Sequence, residues 1–403
     1  MVMGELSQET ELLVIGGGPG GYAAAFRAAD LGMDVTLVEI SEKPGGVCLF
    51  RGCIPSKAYL HLAELIHDAA HAGAMGLKFG SPEIDLENVR NYKNRVVEKL
   101  ADGLVSLGKS RGVQRIRGRA AFENSKTVRI FDSDVSHIKF RQAILSTGSH
   151  PTPFPGVPFK KGGRIMNSTG ALALAEVPKS LLVIGGGYVG LELGSVYAAL
   201  GSRVSVVELG DRLLPGIDAD LVEPLKRRLE KLFASIMLNT KVKGLEESLD
   251  RVKVTFEGDV DPAEQEFDRV LVAIGRRANT ANIGVENTSV EVDDRGFVKV
   301  NERQQTTGEN IYAVGDVVGG MMLAHKASYE GKIAAEVIAG EPSAFDARAI
   351  PAVVYTDPQV AYCGLTEEEA HQQGKKIEVN RYSWKFSGRA APMDAGEGLT
   401  KMI

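Results

Sequence analysis

The chain has 403 residues, a net charge of −5 and three cysteines, a length that exceeds one hydrophobic core and sets an expectation of several domains. Its charges form no block of one sign, which argues against nucleic acid or an anionic membrane surface as the main partner. No uninterrupted apolar run approaches the roughly 20 residues that cross a bilayer, and the opening MVMGELSQETELL lacks the basic and apolar regions of a secretory leader; no membrane partner and a cytoplasmic location are expected.

Glycine makes up 46 of the 403 residues, and much of that excess falls in two loops. In the first, residues 12–15 form an apolar run of the length of a buried parallel strand, and Gly16, Gly18 and Gly21 then follow as G-x-G-x-x-G. An Ala-rich helix comes next, and a strand over 34–38 ends in Glu39. Gly16 permits the tight turn, Gly18 lets backbone approach a pyrophosphate, Gly21 lets helix and strand pack closely, and the carboxylate suits ribose hydroxyls. A Gly-rich loop alone is weak evidence, but strand, helix and acidic residue together read as a dinucleotide unit.

Next in the chain is GGVCLFRGCIPSKAYLH, with Cys48 and Cys53 flanked by glycine and basic residues. A disulfide needs Cα atoms about 4.4–6.8 Å apart, whereas five residues of regular helix rise about 7.5 Å, so the chain is expected to bend between them at Gly52. A helix beginning after Cys53, with Pro55 in its first turn, puts backbone N–H groups near the sulfurs; with Lys57 and Arg51 this favours thiolate. The pair reads as a redox disulfide. Zinc is the rival, with His61, His67 and His71 downstream, but a structural site takes four ligands with a second pair close by, and no metal is expected.

A long charged helix follows over DLENVRNYKNRVVEKLADGLVSLGKSRG, then a strand ending in small residues, RQAILSTGSHP. The glycine device then repeats: residues 181–184 lead into Gly185, Gly187 and Gly190, and the next strand ends in Glu208. The two loops lie much farther apart than one βαβ unit of about 30 residues spans, which fits two domains. Glu208 stands where a 2′-phosphate needs a cation, so NAD is preferred to NADP, with Arg203 and Arg212 close enough in sequence to soften the preference. A third strand signal, TTGENIYAVGDVVGG, ends in Gly315 and Asp316, suited to a polyhydroxyl chain such as ribitol. Two dinucleotides in one chain suggest electrons passing between a nicotinamide and a flavin.

Taken together, GGVCLFRGCIPSK, the two glycine loops, ILSTGSHP and TTGENIYAVGDV resemble the FAD-dependent pyridine nucleotide–disulfide oxidoreductases, and within them the dihydrolipoamide dehydrogenases. The resemblance implies an α/β fold with two Rossmann-like domains, for FAD and NAD, followed by the start of an α+β dimerisation domain. It implies that Cys48 exchanges with a dithiol while Cys53, nearer the flavin, forms the charge-transfer thiolate, and that Lys57 lies by the flavin and pairs with Glu192. FAD contacts fall on Gly16, Gly18, Gly21, Glu39, Ala120, Gly148, Asp316, Ala324 and His325. NAD contacts fall on Gly185, Gly186, Gly187, Tyr188, Val189, Gly190, Glu208, Val242, Ala273, Ile274, Gly275 and Arg276. The implied partner is a lipoyl-bearing protein or a small dithiol, with a homodimer for the complete chain. A glutathione- or mercuric-reductase-like member, or a non-catalytic FAD-binding subunit, are the alternatives.

The expected organisation is an FAD domain over 1–150, an NAD domain over 151–278, a return to the flavin side over 279–349 and a partial interface domain over 350–403. Phe50 and Pro44 depart from residues common in relatives, so the redox loop is expected to sit slightly differently. The family's His-Pro segment and its Glu, which reach the partner's disulfide as acid and base, do not occur before residue 403. Since exchange needs a base to make substrate thiolate, this chain is expected to bind FAD but to be slow with dihydrolipoamide. Cys363 reads as a packed strand residue.

Overall fold

The computed structural model describes residues 7–403, which divide into two compact units, each assembled from three stretches of chain. Residues 7–55, 94–150 and 276–347 make the first; residues 56–93, 151–275 and 348–403 make the second.

The first unit is built on a mostly parallel sheet. Ser7–Ile15 lies between Val35–Glu39 and His137–Leu145, with Gln114–Arg117 outside Val35–Glu39. Residues 12–15, expected as a buried strand, are at most 5% exposed, as an apolar run covered on both faces requires. The strand starts earlier than its apolar run because polar residues 7–10 find ladder partners in residues 137–140. His137–Leu145 is shared: its first half pairs antiparallel with Thr127–Phe131 and its last three residues pair parallel with Ile311–Ala313. The helix Pro19–Asp30 crosses Ala324–Ile338 where both are small, since a Cβ on Gly331 would stand 2.3 Å from the Gly20 carbonyl oxygen. Arg27 Nε and Glu336 Oε1, 2.7 Å apart, tie the same two helices.

The second unit carries a five-stranded parallel sheet, ordered Ser235–Met237, Arg203–Val207, Ser180–Ile184, Arg269–Val272 and Ile165–Met166. Beside it runs the antiparallel meander Lys241–Glu247, Val252–Glu257 and Glu264–Phe267. Leu181, Leu182 and Val183 are wholly buried at the centre. Residues 350–403 add two hairpins, Ala352–Val354 with Val360–Tyr362 and Asn380–Ser383 with Leu399–Met402. A short helix, Glu367–Gln372, starts at a Thr366–Glu369 capping box. The Lys401 ammonium, almost fully buried, is held by Asp218, Asp220 and Glu367 at 2.7–3.1 Å. Such a fully partnered charge spares the core an unsatisfied ion. Cys363, expected as a packed strand residue, is exposed just beyond Val360–Tyr362. Among the described residues no helix is long and apolar enough to cross a membrane.

Candidate active site

In the first unit the glycine loop turns as its sequence implies. Gly16 takes φ +102° and donates its N–H to the Val38 carbonyl at 2.8 Å. A side chain there would drive a Cβ to 2.4 Å from the Ser146 carbonyl oxygen, so strain and crowding both demand glycine. The Ser146 hydroxyl donates to the carbonyls of Ile15 and Gly16 and staples the loop to the neighbouring strand. The helix Pro19–Asp30 begins with Gly18 at its N-cap and no side-chain cap, which leaves its first N–H groups for an anion. Glu39 is buried and clamps the loop: Oε2 accepts the Gly17 N–H at 2.6 Å and Oε1 the Ser41 N–H at 2.8 Å.

The second unit reproduces each part. Gly185 takes φ +111°, the helix Tyr188–Ala199 begins with Gly187 at its uncapped N-cap, and Glu208 accepts the Gly186 N–H at 2.6 Å and the Gly210 N–H at 2.8 Å. The space above Gly187 is open, with no atom within 4 Å of a notional Cβ. Tyr188 and Ile274 are exposed by about two-fifths, Val189 packs partly into the core, and Gly275 takes φ +119°. Val242 is buried with Val254 and Phe256, so its backbone, not its side chain, is what a ligand could meet. Ala273 packs against the core at the end of Arg269–Val272.

The cysteines sit on two short-separated helices. Cys48 lies within Gly46–Arg51, an element the sequence reading treated as loop, and Cys53 opens Cys53–His71. Gly52 breaks the helix between them (φ −150°, ψ −111°), the bend expected there, and the two cysteines lie near disulfide distance. Tyr22, on the helix after the first glycine loop, is their neighbour: burial first, then the charge of Cys48, raises its pKa, with Cys53 adding to the effect and the Ser328 hydroxyl opposing it. Sequence reasoning missed Tyr22, whose only signal was its place directly after the third glycine of the loop.

Lys57 and Glu192 meet as the family resemblance implied. Lys57 Nζ lies 2.8 and 3.0 Å from the two carboxylate oxygens of Glu192, which is nearly buried. His67, weighed as a zinc ligand, instead faces the Arg228 guanidinium and Asp357; burial and the Arg228 charge lower its pKa. Among the described residues no three His, Cys, Asp or Glu side chains gather where they could hold a metal ion.

Around Asp316 the first unit forms a polar network. Asp316 lies in the turn Gly315–Val318 and accepts the Ser149 hydroxyl. The Arg276 guanidinium donates to Ser149 Oγ at 2.7 Å and to its carbonyl at 2.8 Å, and lies 3.8 Å from Asp316. Arg276, expected at NAD, is held here by Ser149 and lies beside Asp316. Gly148 takes φ +70° with open space above it, Ala120 is buried opposite Ile130, Ala324 opens its helix and His325 is exposed. Behind the turn lies an ion pair not read from the sequence: Lys326 Nζ contacts Glu330 Oε1 at 2.5 Å and the Gly319 carbonyl at 3.1 Å. Glu330 Oε2 accepts the Gly315 N–H at 2.8 Å. The pair thus grips both ends of the turn, and burial raises the Glu330 pKa against the opposing pull of Lys326.

The family model described as pyridine nucleotide-disulphide oxidoreductase matches residues 10–331, and the model of that family's dimerisation domain matches residues 350–403. The dihydrolipoyl dehydrogenase of Haemophilus influenzae is 47% identical over 98% of this chain and 83% of its own length. That of Bacillus subtilis is 44% identical over 100% and 86%. Among solved structures, the HOCl-induced flavoprotein disulfide reductase RclA of Escherichia coli superposes with a TM-score of 0.84 at 29% identity, covering 97% of this chain and 86% of that one. FAD and NAD are the cofactors of such proteins, and the residues present fit them: two glycine loops with uncapped helix starts, each clamped by a carboxylate, and open space above Gly148 and Gly187. The chain is a member of the pyridine nucleotide-disulphide oxidoreductase family.

Proposed function

We propose that this chain is a dihydrolipoyl dehydrogenase in which Cys48 and Cys53 exchange a disulfide with the dithiol of a lipoyl group. The observation that carries the reading is the pair itself, brought near disulfide distance across the Gly52 break beside the first dinucleotide loop. One substrate thiolate attacks Cys48 Sγ, forming a mixed disulfide and expelling Cys53 as thiolate. The second substrate thiol, giving up its proton, attacks its own chain's sulfur in that mixed disulfide. The products are a cyclic substrate disulfide and two reduced cysteines, a two-electron exchange.

FAD, when bound, supplies the two-electron relay between such a thiol pair and a nicotinamide. The residues proposed to hold it are Gly16, Gly18, Gly21, Glu39, Ala120, Gly148, Asp316, Ala324 and His325, with Glu39 on ribose hydroxyls. Gly185 to Gly190, Glu208, Val242, Ala273, Ile274 and Gly275 are proposed for NAD, where the Glu208 carboxylate repels a 2′-phosphate and selects against NADP. Arg276 is assigned to positioning Asp316. The dimerisation match over residues 350–403 supports a homodimer as the working assembly. A reduced, cytoplasmic setting accords with a chain of three cysteines, two of them in an exchanging pair.

The test is stoichiometric. Anaerobic incubation of the flavin-loaded protein with one equivalent of dihydrolipoamide converts Cys48 and Cys53 to two thiols, counted by alkylation and peptide mass spectrometry. Reduction by glutathione but not by dihydrolipoamide would overturn the reading.

A further inference from the structure

Tyr355 follows the strand Ala352–Val354 and touches both members of the Lys57–Glu192 pair. Its backbone N–H donates to Glu192 Oε1 at 3.0 Å, and its ring lies under Lys57 Nζ, 4.4 Å from nitrogen to centroid. Glu192 Oε1 therefore accepts from Lys57 and Tyr355 together, while Oε2 accepts from Lys57. An ammonium has three donors in tetrahedral array; the carboxylate takes up one side, and the aromatic face covers another at a separation where a cation is attracted to the ring quadrupole.

We propose that Tyr355 is a positioning residue for the reaction, a clamp whose ring holds the Lys57 ammonium in place while its N–H orients the carboxylate that pairs with it. The two contacts come from one residue, so moving this stretch of chain moves ammonium and carboxylate together. A lysine side chain is a flexible four-carbon stem that loses much rotamer freedom when held; a carboxylate alone fixes its distance, and the ring adds a second restraint from another direction. Tyr355 is about two-fifths exposed and Lys57 about one-third, so the clamp is a surface device rather than part of the core, and Tyr355 can be changed without removing a core side chain. The inference rests on the proposed function and on the family resemblance, which implies that Lys57 lies by the flavin.

Competitive acetylation of the holoprotein, read at Lys57 by peptide mass spectrometry and normalised to the exposed Lys139, measures how well the nitrogen is shielded. Tyr355→Leu is expected to raise Lys57 labelling about twofold to fivefold, the span of an exposed cation–π contact, while Tyr355→Phe keeps the wild-type rate. Pentafluorophenylalanine at position 355 keeps the ring's shape but reverses its quadrupole, and is expected to behave as leucine. Wild-type labelling in both the leucine and pentafluorophenylalanine variants overturns the clamp. The reduction potential of the bound flavin separates this from the reading beneath it. If Lys57→Met leaves the potential unmoved, the placing of Lys57 fails. If Lys57→Met shifts it and Tyr355→Leu does not, the clamp fails.

Discussion

The Glu208 carboxylate holds the Gly186 N–H at 2.6 Å, and Glu39 holds the Gly17 N–H at the same distance in the other unit. In each case the second oxygen takes a further backbone N–H two residues beyond the glutamate. A carboxylate offers about four lone-pair positions, so each glutamate can grip its own loop and still accept from ribose hydroxyls.

Replacing Glu208 with Gln weakens both duties. A hydrogen bond to a charged group contributes about 1.5–3 kcal/mol, so the KM for NADH in E208Q is expected to rise roughly 10- to 100-fold with flavin content unchanged. E39Q is expected to do the reverse, losing flavin on gel filtration while leaving the NADH site intact. Steady-state kinetics and the visible absorbance per protein decide both.

Two glycines of one loop answer different questions. Gly187 has φ −80° and open space around a notional Cβ, so G187A is expected to melt with the wild type while binding NADH less well, because the methyl occupies the ligand's approach. Gly190 is crowded, its Cβ falling 2.3 Å from the Gly185 carbonyl oxygen, and G190A is expected to lose about 1–3 kcal/mol or more through overpacking. Thermal melts with and without NADH separate the two.

The cysteines are expected to divide exchange from flavin binding. C48S and C53S each abolish the two-thiol yield with dihydrolipoamide yet are expected to retain a yellow protein, since the Glu39 clamp on the glycine loop is left in place. Loss of flavin from C48S would instead mark a structural role for that sulfur.

The Lys326–Glu330 pair predicts a pH dependence. Burial holds the Glu330 pKa above the ordinary glutamate value, so the folded state binds this proton more tightly than the unfolded chain does. The stabilisation from that proton is fully present below the ordinary value and is lost as pH rises through the raised one. In K326M the opposing cation is gone, the pKa climbs further, and the variant is expected to lose about 3–5 kcal/mol at neutral pH but distinctly less in mild acid. Urea unfolding at pH 5 and pH 8 checks this, with K326M/E330Q as the variant in which the pH dependence flattens.

Much of the site was legible because its chemistry is local. A glycine loop, its strand and the glutamate closing the next strand lie within one βαβ register, so Glu39 and Glu208 announce themselves without tertiary information. Lys57 and Glu192 are far apart in sequence, and only resemblance to a family paired them. Lys326 and Glu330 look like an ordinary i, i+4 pair, which on most helices faces water; their meaning depends on burial that only packing of the helix reveals. Tyr22 was silent for the same reason. The helix Gly46–Arg51 escaped notice because six residues opened by a glycine and closed by another give periodicity too little length to register.

The strand Ile311–Ala313 completes a sheet whose other members were synthesised more than 150 residues earlier. During translation the edge at residues 143–145 must wait, bare, while residues 151–275 of the second unit emerge from the ribosome. At about 5–20 residues per second that interval lasts on the order of ten seconds or more. The first unit, although begun first, therefore cannot close its sheet until the middle stretch of the second has been made, and the second, which takes in residues 348–403, closes later still; that wait is the interval in which a chaperone has most to do.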